Sequence, residues 1–327
     1  MEELSQQTGM NSAERALLAL LRKSLFGIEF EYELSQEEQL AALEESRKQA
    51  VFCLAAQSAS LTGEESDRVR GQSLSAIRLN VEILRQHQYL HELMTKAGIP
   101  YVVLKGAASA YYYPQPQQRM MGDVDFLVAQ EDVERAAEVL REEGFVSGDE
   151  SHCHHIGFSR DRLHFELHFD PPGIPPGEVG EIIRGYLHDI ISTARTVQNG
   201  VAIFQNPEPF YHGLVMLLHM KNHLLVEGIG LRHLCDWAVF VDRYSDSEFR
   251  EMYEEKLKRV GLWTFAVAIS QAAHLAISLP YRDFMGQDTD LAYGLLMDIL
   301  LGGNFGRKKK GRAAEAMFIA IRSREGI

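Results

Sequence analysis

The chain has 327 residues, of which 46% are hydrophobic and 24% are charged, and its formal net charge at pH 7 is −13. This composition is ordinary for a globular protein, and the length is sufficient for one catalytic domain with helical additions or for two domains. The negative charge argues against broad, non-specific binding to nucleic acid or to an anionic membrane, but leaves room for a local basic pocket that binds a nucleotide.

The cysteines and the lengths of the apolar runs indicate the cellular compartment of the protein. The three cysteines, Cys53, Cys153 and Cys235, are far apart and lack metal-site spacing, which fits a reducing compartment without disulfides. The sequence begins with polar and acidic residues, unlike a signal peptide. No apolar run approaches the roughly 20 residues of a membrane span. We therefore expect a cytoplasmic protein that has no membrane partner.

Residues 1–98 are predicted to be helical. Ser35 is followed three positions later by a glutamate, a capping-box pattern that predicts a helix running towards Ser58. A longer second helix is expected to end at Gly98. Its apolar residues recur at helical spacing, namely Ile77, Val81, Leu84, Leu90 and Met94. We interpret this segment as a packing or substrate-selecting addition, because no residue in it suggests chemistry.

Short apolar strands begin to alternate with helices at Tyr101. Strands are predicted at 101–104, 124–128, about 154–158 and 163–169, and helices at 107–113 and 131–143. Prolines interrupt this pattern at 171–177, and Asn199-Gly200 predicts a β-hairpin. The order of strand, helix, strand, helix and hairpin indicates a mixed sheet with helices packed against it.

The remainder of the chain is predicted to be helical. Its apolar segments are separated by glycine, proline and charged stretches, and they cover 210–226, 231–243, 262–279 and 288–301. The prediction for the whole chain is an α+β protein in three parts. These are an N-terminal helical region at 1–98, a mixed-sheet α/β core at 99–205 and a C-terminal helical domain at 206–327.

Asp123 and Asp125 are the strongest functional signal in the sequence. Residues two apart in a strand point to one face, so these carboxylates are predicted to project together and to repel unless a cation neutralises them. Such hard oxygen ligands suit Mg²⁺. Glu166 shares a face of a later strand with His164 and His168. If the two strands are neighbours, Glu166 joins the aspartates, and three carboxylates on adjacent strands can hold two Mg²⁺ ions. The competing interpretation is that Asp123 and Asp125 lie at a solvated strand end or cap a helix.

Three motifs carry a resemblance to a known family: Leu104-Lys105-Gly106, Tyr113-Pro114 and Arg119-Met120-Met121-Gly122-Asp123-Val124-Asp125-Phe126-Leu127-Val128. They resemble the uncharacterised bacterial nucleotidyltransferase family of the polymerase-β-type superfamily. That superfamily carries a glycine turn, an acid-hydrophobic-acid strand and a third acid on a later strand. The resemblance is strongest over 101–168, extends more loosely to 219–223 and 230–236, and is not seen before residue 100.

The resemblance implies a nucleotidyltransferase that moves a nucleoside monophosphate from a nucleoside triphosphate, such as ATP, to an acceptor hydroxyl. Asp123, Asp125 and Glu166 would be the catalytic and metal-binding residues, with two Mg²⁺ ions as cofactor. The candidate nucleotide-binding residues are Lys105, Gly106, Ser109, Arg119 and Arg232. The acceptor is left open among a small molecule, a sugar, a protein side chain and an RNA end, and long nucleic acid is the least favoured because of the net charge.

Each candidate nucleotide-binding residue is supported by a different physical reason. Gly106 would let the backbone approach the phosphates, and Lys105 or Arg119 would neutralise phosphate charge. Ala107 stands where the superfamily has glycine or serine, and Ser109 is the nearest hydroxyl. Arg232 either contacts phosphate or pairs with an aspartate four residues later on the surface of a helix, and the sequence leaves both open.

Two other functions remain open on the sequence alone. Ala107 favours a catalytically degenerate protein that binds a nucleotide or a partner without turnover. A metal-dependent phosphohydrolase would use the same acids together with His164 or His168. Since neighbouring carboxylates repel, the sequence also predicts that Asp125→Asn abolishes Mg²⁺-dependent activity and leaves the melting temperature unchanged or raised.

Two further clusters are interpreted as structural. His152-Cys153-His154-His155 matches no familiar zinc pattern, so we interpret it as a polar strand edge. The basic run at 307–312 is interpreted as a solvated connection between helices.

Overall fold

The structure is a computed structural model and describes residues 9–29, 32–148 and 154–306. The described chain divides into two compact units. The helical unit comprises the residues up to Ile77, Gln118–Met120 and the residues from Met220 onwards, and the sheet unit comprises Arg78–Gln117 and Met121–His219. The three-part division predicted from the sequence stays a prediction. The residues His152 and Cys153 and the basic run at 307–312 lie outside the described residues.

The helices of the described residues are α1 Ser12–Phe26, α2 Gln36–Lys48, α3 Phe52–Ser58, α4 Gly63–Ala97, α5 Ala107–Ala110, α6 Val133–Glu142, α7 Glu178–Leu187, α8 Pro209–Val226, α9 Leu231–Val241, α10 Asp246–Arg259, α11 Trp263–Ile277 and α12 Asp290–Gly302. The strands are β1 Tyr101–Val103, β2 Val124–Val128, β3 Val146–Ser147, β4 His155–Arg160, β5 Leu163–His168, β6 Arg195–Asn199 and β7 Ala202–Asn206. Within the described ranges, no helix combines the length and the apolar character that crossing a membrane requires.

The helix predicted to run from Ser35 towards Ser58 is interrupted, so its predicted extent was wrong. The capping box at Ser35 is present and starts α2. The chain then leaves the helix at Ala50, which has a φ of 54°. The N–H of Val51 donates to the carbonyl oxygen of Ser46 at 2.9 Å, as in a helix that ends on a left-handed residue. An alanine at this position gives no stop signal in the sequence.

The charged stretch between the apolar segments 231–243 and 262–279 is predicted only to separate them, but it forms the helix α10. A capping box at Ser245 starts this helix. Phe249, Tyr253 and Leu257 recur every four residues and are completely buried. A narrow apolar stripe is therefore enough to hold a helix whose other positions are mostly charged.

The central sheet has five strands in the order β1-β2-β5-β4-β3. β2 and β5 are parallel, and the other neighbouring pairs are antiparallel. This confirms the predicted α+β class with a mixed sheet. β6 and β7 form the predicted hairpin as a separate pair, and their register places Gly200-Val201 in the loop, one residue later than the predicted Asn-Gly turn.

One face of the sheet packs into the core of the sheet unit. Alternate residues of β2 and β5 lie in this core together with apolar residues of α4 and α6: Val124, Phe126, Val128, Phe165, Leu167, Leu84, Leu90, Met94, Ala136, Ala137 and Leu140. Side chains in a strand alternate between the two faces. The residues between these apolar positions, among them Asp125 and Glu166, therefore project from the opposite face.

Candidate active site

The parallel pairing of β2 and β5 brings the predicted carboxylates to neighbouring strands. Its register sets Asp125 directly opposite Glu166, and Asp123 directly precedes β2. Asp125 is only 7% exposed, whereas the Glu166 side chain is 31% exposed. One carboxylate is thus buried beneath the surface, and another remains open to a bound molecule.

Two basic side chains neutralise the buried carboxylate. The Nζ atom of Lys105 lies 2.9 Å from Oδ1 of Asp125, and Nε2 of His168 lies 3.1 Å from the same oxygen. Burial alone would raise the pKa of Asp125. The positive charge of Lys105 and the hydrogen bond with His168 outweigh burial and hold this pKa well below its usual range.

Asp123 has the opposite electrostatic surroundings. Partial burial, followed by the negative charges of Glu166 and Asp125, raises the pKa of Asp123 above its usual value. His164 and Lys105 act in the other direction but do not compensate. The ionised form of Asp123 is therefore disfavoured by burial and by its acidic neighbours, and a bound cation would favour it.

His168 contacts two of the carboxylates. Its Nε2 atom lies 3.1 Å from Asp125 Oδ1 and 3.3 Å from Glu166 Oε2, and the residue is 2% exposed. Burial lowers the pKa of His168, but the hydrogen bonds with Asp125 and Glu166 outweigh it, and the net shift is upwards. The sequence considered this histidine only for a phosphohydrolase, although strand alternation placed it on the face of Glu166.

His155 adds a second imidazole next to this group. It lies opposite His168 in the antiparallel register of β4 and β5, and the two ring centroids are 5.0 Å apart. One ligand atom from each of His155, Glu166 and His168 lies within 4.8 Å of the others. The sequence interpretation of His155 as a polar strand edge missed this grouping, because it depends on the hairpin register.

The predicted glycine turn lies beside the first carboxylate. Gly106 has φ 62° and ψ −108°, a conformation that favours glycine. A Cβ atom there would lie 3.7 Å from the carbonyl oxygen of Asp123, so the turn and the carboxylate strand are neighbours. Ser109 is 3% exposed, and its hydroxyl lies 3.9 Å from Met216 Sδ. Its part in nucleotide binding stays a prediction.

The two predicted arginines belong to the helical unit. The guanidinium of Arg119 makes hydrogen bonds of 2.8 and 2.6 Å to the two carboxylate oxygens of Asp236, and both side chains are buried. The guanidinium carbon of Arg232 lies 5.3 Å from the ring centroid of Phe305. A contact of either arginine with a nucleotide stays a prediction.

Comparison with known proteins gives one family match. Residues 34–277 match the model of a family described as uncharacterised nucleotidyltransferase. No curated protein and no protein of solved structure matches the chain. The matched range includes every carboxylate described above. It also starts well before residue 100, so the prediction that the resemblance is absent from the earlier residues was wrong. The early helices carry mainly apolar spacing, which a single sequence cannot distinguish from ordinary packing.

Proposed function

The chain belongs to the uncharacterised nucleotidyltransferase family, and we propose on that basis that it transfers a nucleoside monophosphate from a nucleoside triphosphate to an acceptor hydroxyl. The observation that carries the proposal is the parallel register that sets Asp125 opposite Glu166, with Asp123 directly before the same strand. This pairing gathers three carboxylates from segments about forty residues apart in sequence.

The carboxylates have the chemistry that a divalent cation requires. Asp123, Asp125 and Glu166 offer hard oxygen donors, which Mg²⁺ prefers. Burial and the neighbouring carboxylates raise the pKa of Asp123, and a bound cation would favour its ionised form. These three residues would hold Mg²⁺. When bound, Mg²⁺ would supply positive charge for the phosphate oxygens at which negative charge develops during transfer.

The glycine turn and Lys105 would position the triphosphate. Gly106 follows β1 in a conformation that favours glycine, and we assign to this turn the contact of backbone N–H groups with the phosphates. Lys105 directly precedes it, and its ammonium group is held beside Asp125. We assign to Lys105 the neutralisation of triphosphate charge, since a lysine ammonium is a compact cation that suits phosphate.

The chemical step forms one oxygen–phosphorus bond and breaks another. The acceptor oxygen attacks the α-phosphorus, and the bond to the pyrophosphate oxygen breaks, so that pyrophosphate leaves. Glu166 takes the proton of the acceptor hydroxyl. Its side chain is accessible for this role, whereas Asp125 is buried and engaged by two basic groups.

The acceptor is a small molecule, a sugar, a protein side chain or an RNA end. The net charge of −13 opposes a long nucleic acid, which would bring many phosphates close to an acidic surface. The choice among the four classes requires an acceptor screen.

The identity of the products tests the proposal. The full chain is incubated with each nucleoside triphosphate, with and without Mg²⁺, across a panel of acceptors, while pyrophosphate and orthophosphate are measured separately. We expect Mg²⁺-dependent pyrophosphate release that requires an acceptor. Triphosphate binding without any release across the panel would instead identify a binding protein.

One observation favours a second candidate function, a metal-dependent phosphohydrolase. His168 contacts Asp125 and Glu166 directly, and an imidazole beside metal-binding acids is suited to proton transfer to or from water. This activity would produce orthophosphate or nucleoside monophosphate when no acceptor is present. The same product assay therefore separates the two functions.

A further inference from the structure

We propose that His155, Glu166 and His168 form a binding site for a divalent first-row transition-metal ion of the Zn²⁺ or Co²⁺ type, next to the aspartates expected to hold Mg²⁺. The inference rests on the proposed function only through Glu166, which both sites share. Binding of the metal itself requires neither nucleotide nor acceptor.

Strand geometry supplies the first argument. His155 and His168 are opposite each other across the antiparallel β4–β5 pair, and Glu166 precedes His168 by two residues on the same strand face. Their ligand atoms lie within 4.8 Å of one another. Around Zn²⁺, with bonds of about 2.1 Å, ligand atoms are roughly 3.4 Å apart. Small side-chain rotations therefore suffice to bring the three ligand atoms to the spacing that a bound ion requires.

The donor atoms determine which metal fits. Mg²⁺ prefers oxygen ligands, whereas imidazole nitrogen suits zinc and the neighbouring transition metals. Two histidines and one glutamate form a three-ligand set that leaves a coordination position open for water or substrate. The all-oxygen group at Asp123 and Asp125 and the imidazole group at Glu166 thus favour different metals.

Hydrogen bonding of His168 supplies an independent argument. Its Nε2 atom faces oxygens of both Asp125 and Glu166, while its buried Nδ1 atom has no hydrogen-bond partner among the described residues. A neutral imidazole carries a single N–H. With the proton on Nε2, a buried Nδ1 lone pair faces no donor; with the proton on Nδ1, the Nε2 lone pair faces carboxylate oxygens. A cation bound between Nε2 and Glu166 would satisfy the Nε2 lone pair in the second of these tautomers.

Metal binding by the full, tag-free chain tests the site. The protein is stripped with a chelator and dialysed against Co²⁺, Zn²⁺ or Mg²⁺ without nucleotide, and bound metal is measured by elemental analysis and by the visible absorption of Co²⁺. We expect about one Co²⁺ or Zn²⁺ per chain that excess Mg²⁺ does not displace. His155→Ala is expected to weaken binding by at least about tenfold.

His164→Ala is the matched control. His164 lies on the same strand and the same face as Glu166, is exposed, and is not part of the three-residue group. We expect it to bind Co²⁺ as the unchanged chain does. His168→Gln is a second test variant, and thermal unfolding of each variant without metal shows whether a loss of binding reflects a loss of folding.

Two results would overturn the inference: His155→Ala binding Co²⁺ as tightly as the unchanged chain, or excess Mg²⁺ displacing the bound Co²⁺. Failure of the proposed function has a different signature. Retained Mg²⁺-dependent pyrophosphate release without Co²⁺ binding removes the transition-metal site alone. Retained Co²⁺ binding without pyrophosphate release for any acceptor removes the nucleotidyl transfer alone.

Discussion

Asp123 and Asp125 differ in their surroundings although they are only two positions apart. Asp125 is buried and paired with Lys105 and His168, whereas partial burial and the negative charges of Glu166 and Asp125 raise the pKa of Asp123. Strand alternation predicts the shared face but not the partners, which come from other strands. We therefore expect Asp125→Asn to lower the melting temperature. Asp123→Asn, and not Asp125→Asn, is expected to leave it unchanged or raised.

Asp125→Asn is expected to lower the free energy of unfolding by about 2 kcal/mol at pH 7 without metal, because Lys105 and His168 lose their counter-charge. The folded-state pKa of Asp125 is depressed. Its stabilisation is therefore present above the unfolded pKa of about 3.9 and is lost as the pH falls through the folded pKa. Urea denaturation of both proteins over this pH range measures the difference. Equal stability at pH 7 would contradict the pairing.

Asp123→Asn is expected to raise the free energy of unfolding at pH 7 without metal, by at most about 1 kcal/mol because the site is open to solvent. The folded-state pKa of Asp123 is raised. The cost of its charge therefore appears as the pH rises from about 3.9 through the folded pKa, and the gain from asparagine appears over the same window. Added Mg²⁺ should stabilise the unchanged chain and remove the gain. A variant that is less stable at pH 7 would contradict uncompensated charge at this residue.

At the scale of helices and strands, local patterns were predicted and long-range pairings were not. Alternation in β2 and β5 gave the faces of Asp125 and Glu166 correctly, because it depends only on neighbouring residues. The parallel pairing joins two distant segments of the chain. Local sequence patterns do not establish that these strands are neighbours, so the prediction depended on that condition. The grouping of His155 with His168 needs the register of a hairpin as well, and so it was missed.

The end of α2 allows a test at this scale. Ala50→Gly is expected to stabilise the chain by about 1 kcal/mol, because glycine adopts the φ of 54° found there without the strain of a Cβ atom. Ala41→Gly is the matched control. It lies exposed inside α2 and should cost about 1 kcal/mol. Thermal unfolding measures both changes. A loss of stability at both positions would instead support the continuous helix predicted from the sequence.

At the scale of the whole molecule, the sequence predicted consecutive parts, whereas the helical unit combines segments from distant parts of the chain. Gln118–Met120 belongs to that unit although both flanking segments belong to the sheet unit. The buried pairing of Arg119 with Asp236 links residues 117 positions apart. No local pattern contains such a contact, which explains why the sequence suggested only a phosphate-binding role for Arg119.

Arg119→Ala is expected to lower the free energy of unfolding by roughly 3 kcal/mol, because it leaves the Asp236 carboxylate buried without its partner. Arg119→Lys should restore only part of this, since an ammonium cannot reproduce two parallel hydrogen bonds. The double variant with Asp236→Ala should lose less than the sum of the single variants. Additive losses in urea denaturation would show that the two residues do not act as a pair.

The central claim is that the carboxylates on neighbouring strands carry a Mg²⁺-dependent nucleotidyl transfer, and Glu166→Gln tests it most directly. Pyrophosphate release and the mass gain of the acceptor are measured together for the unchanged chain, for Glu166→Gln and for the exposed control Asp189→Asn. We predict equal amounts of pyrophosphate and nucleotidylated acceptor, a loss on the order of 100-fold in Glu166→Gln, and no loss in the control. Full activity of Glu166→Gln, with correct folding, would contradict the claim.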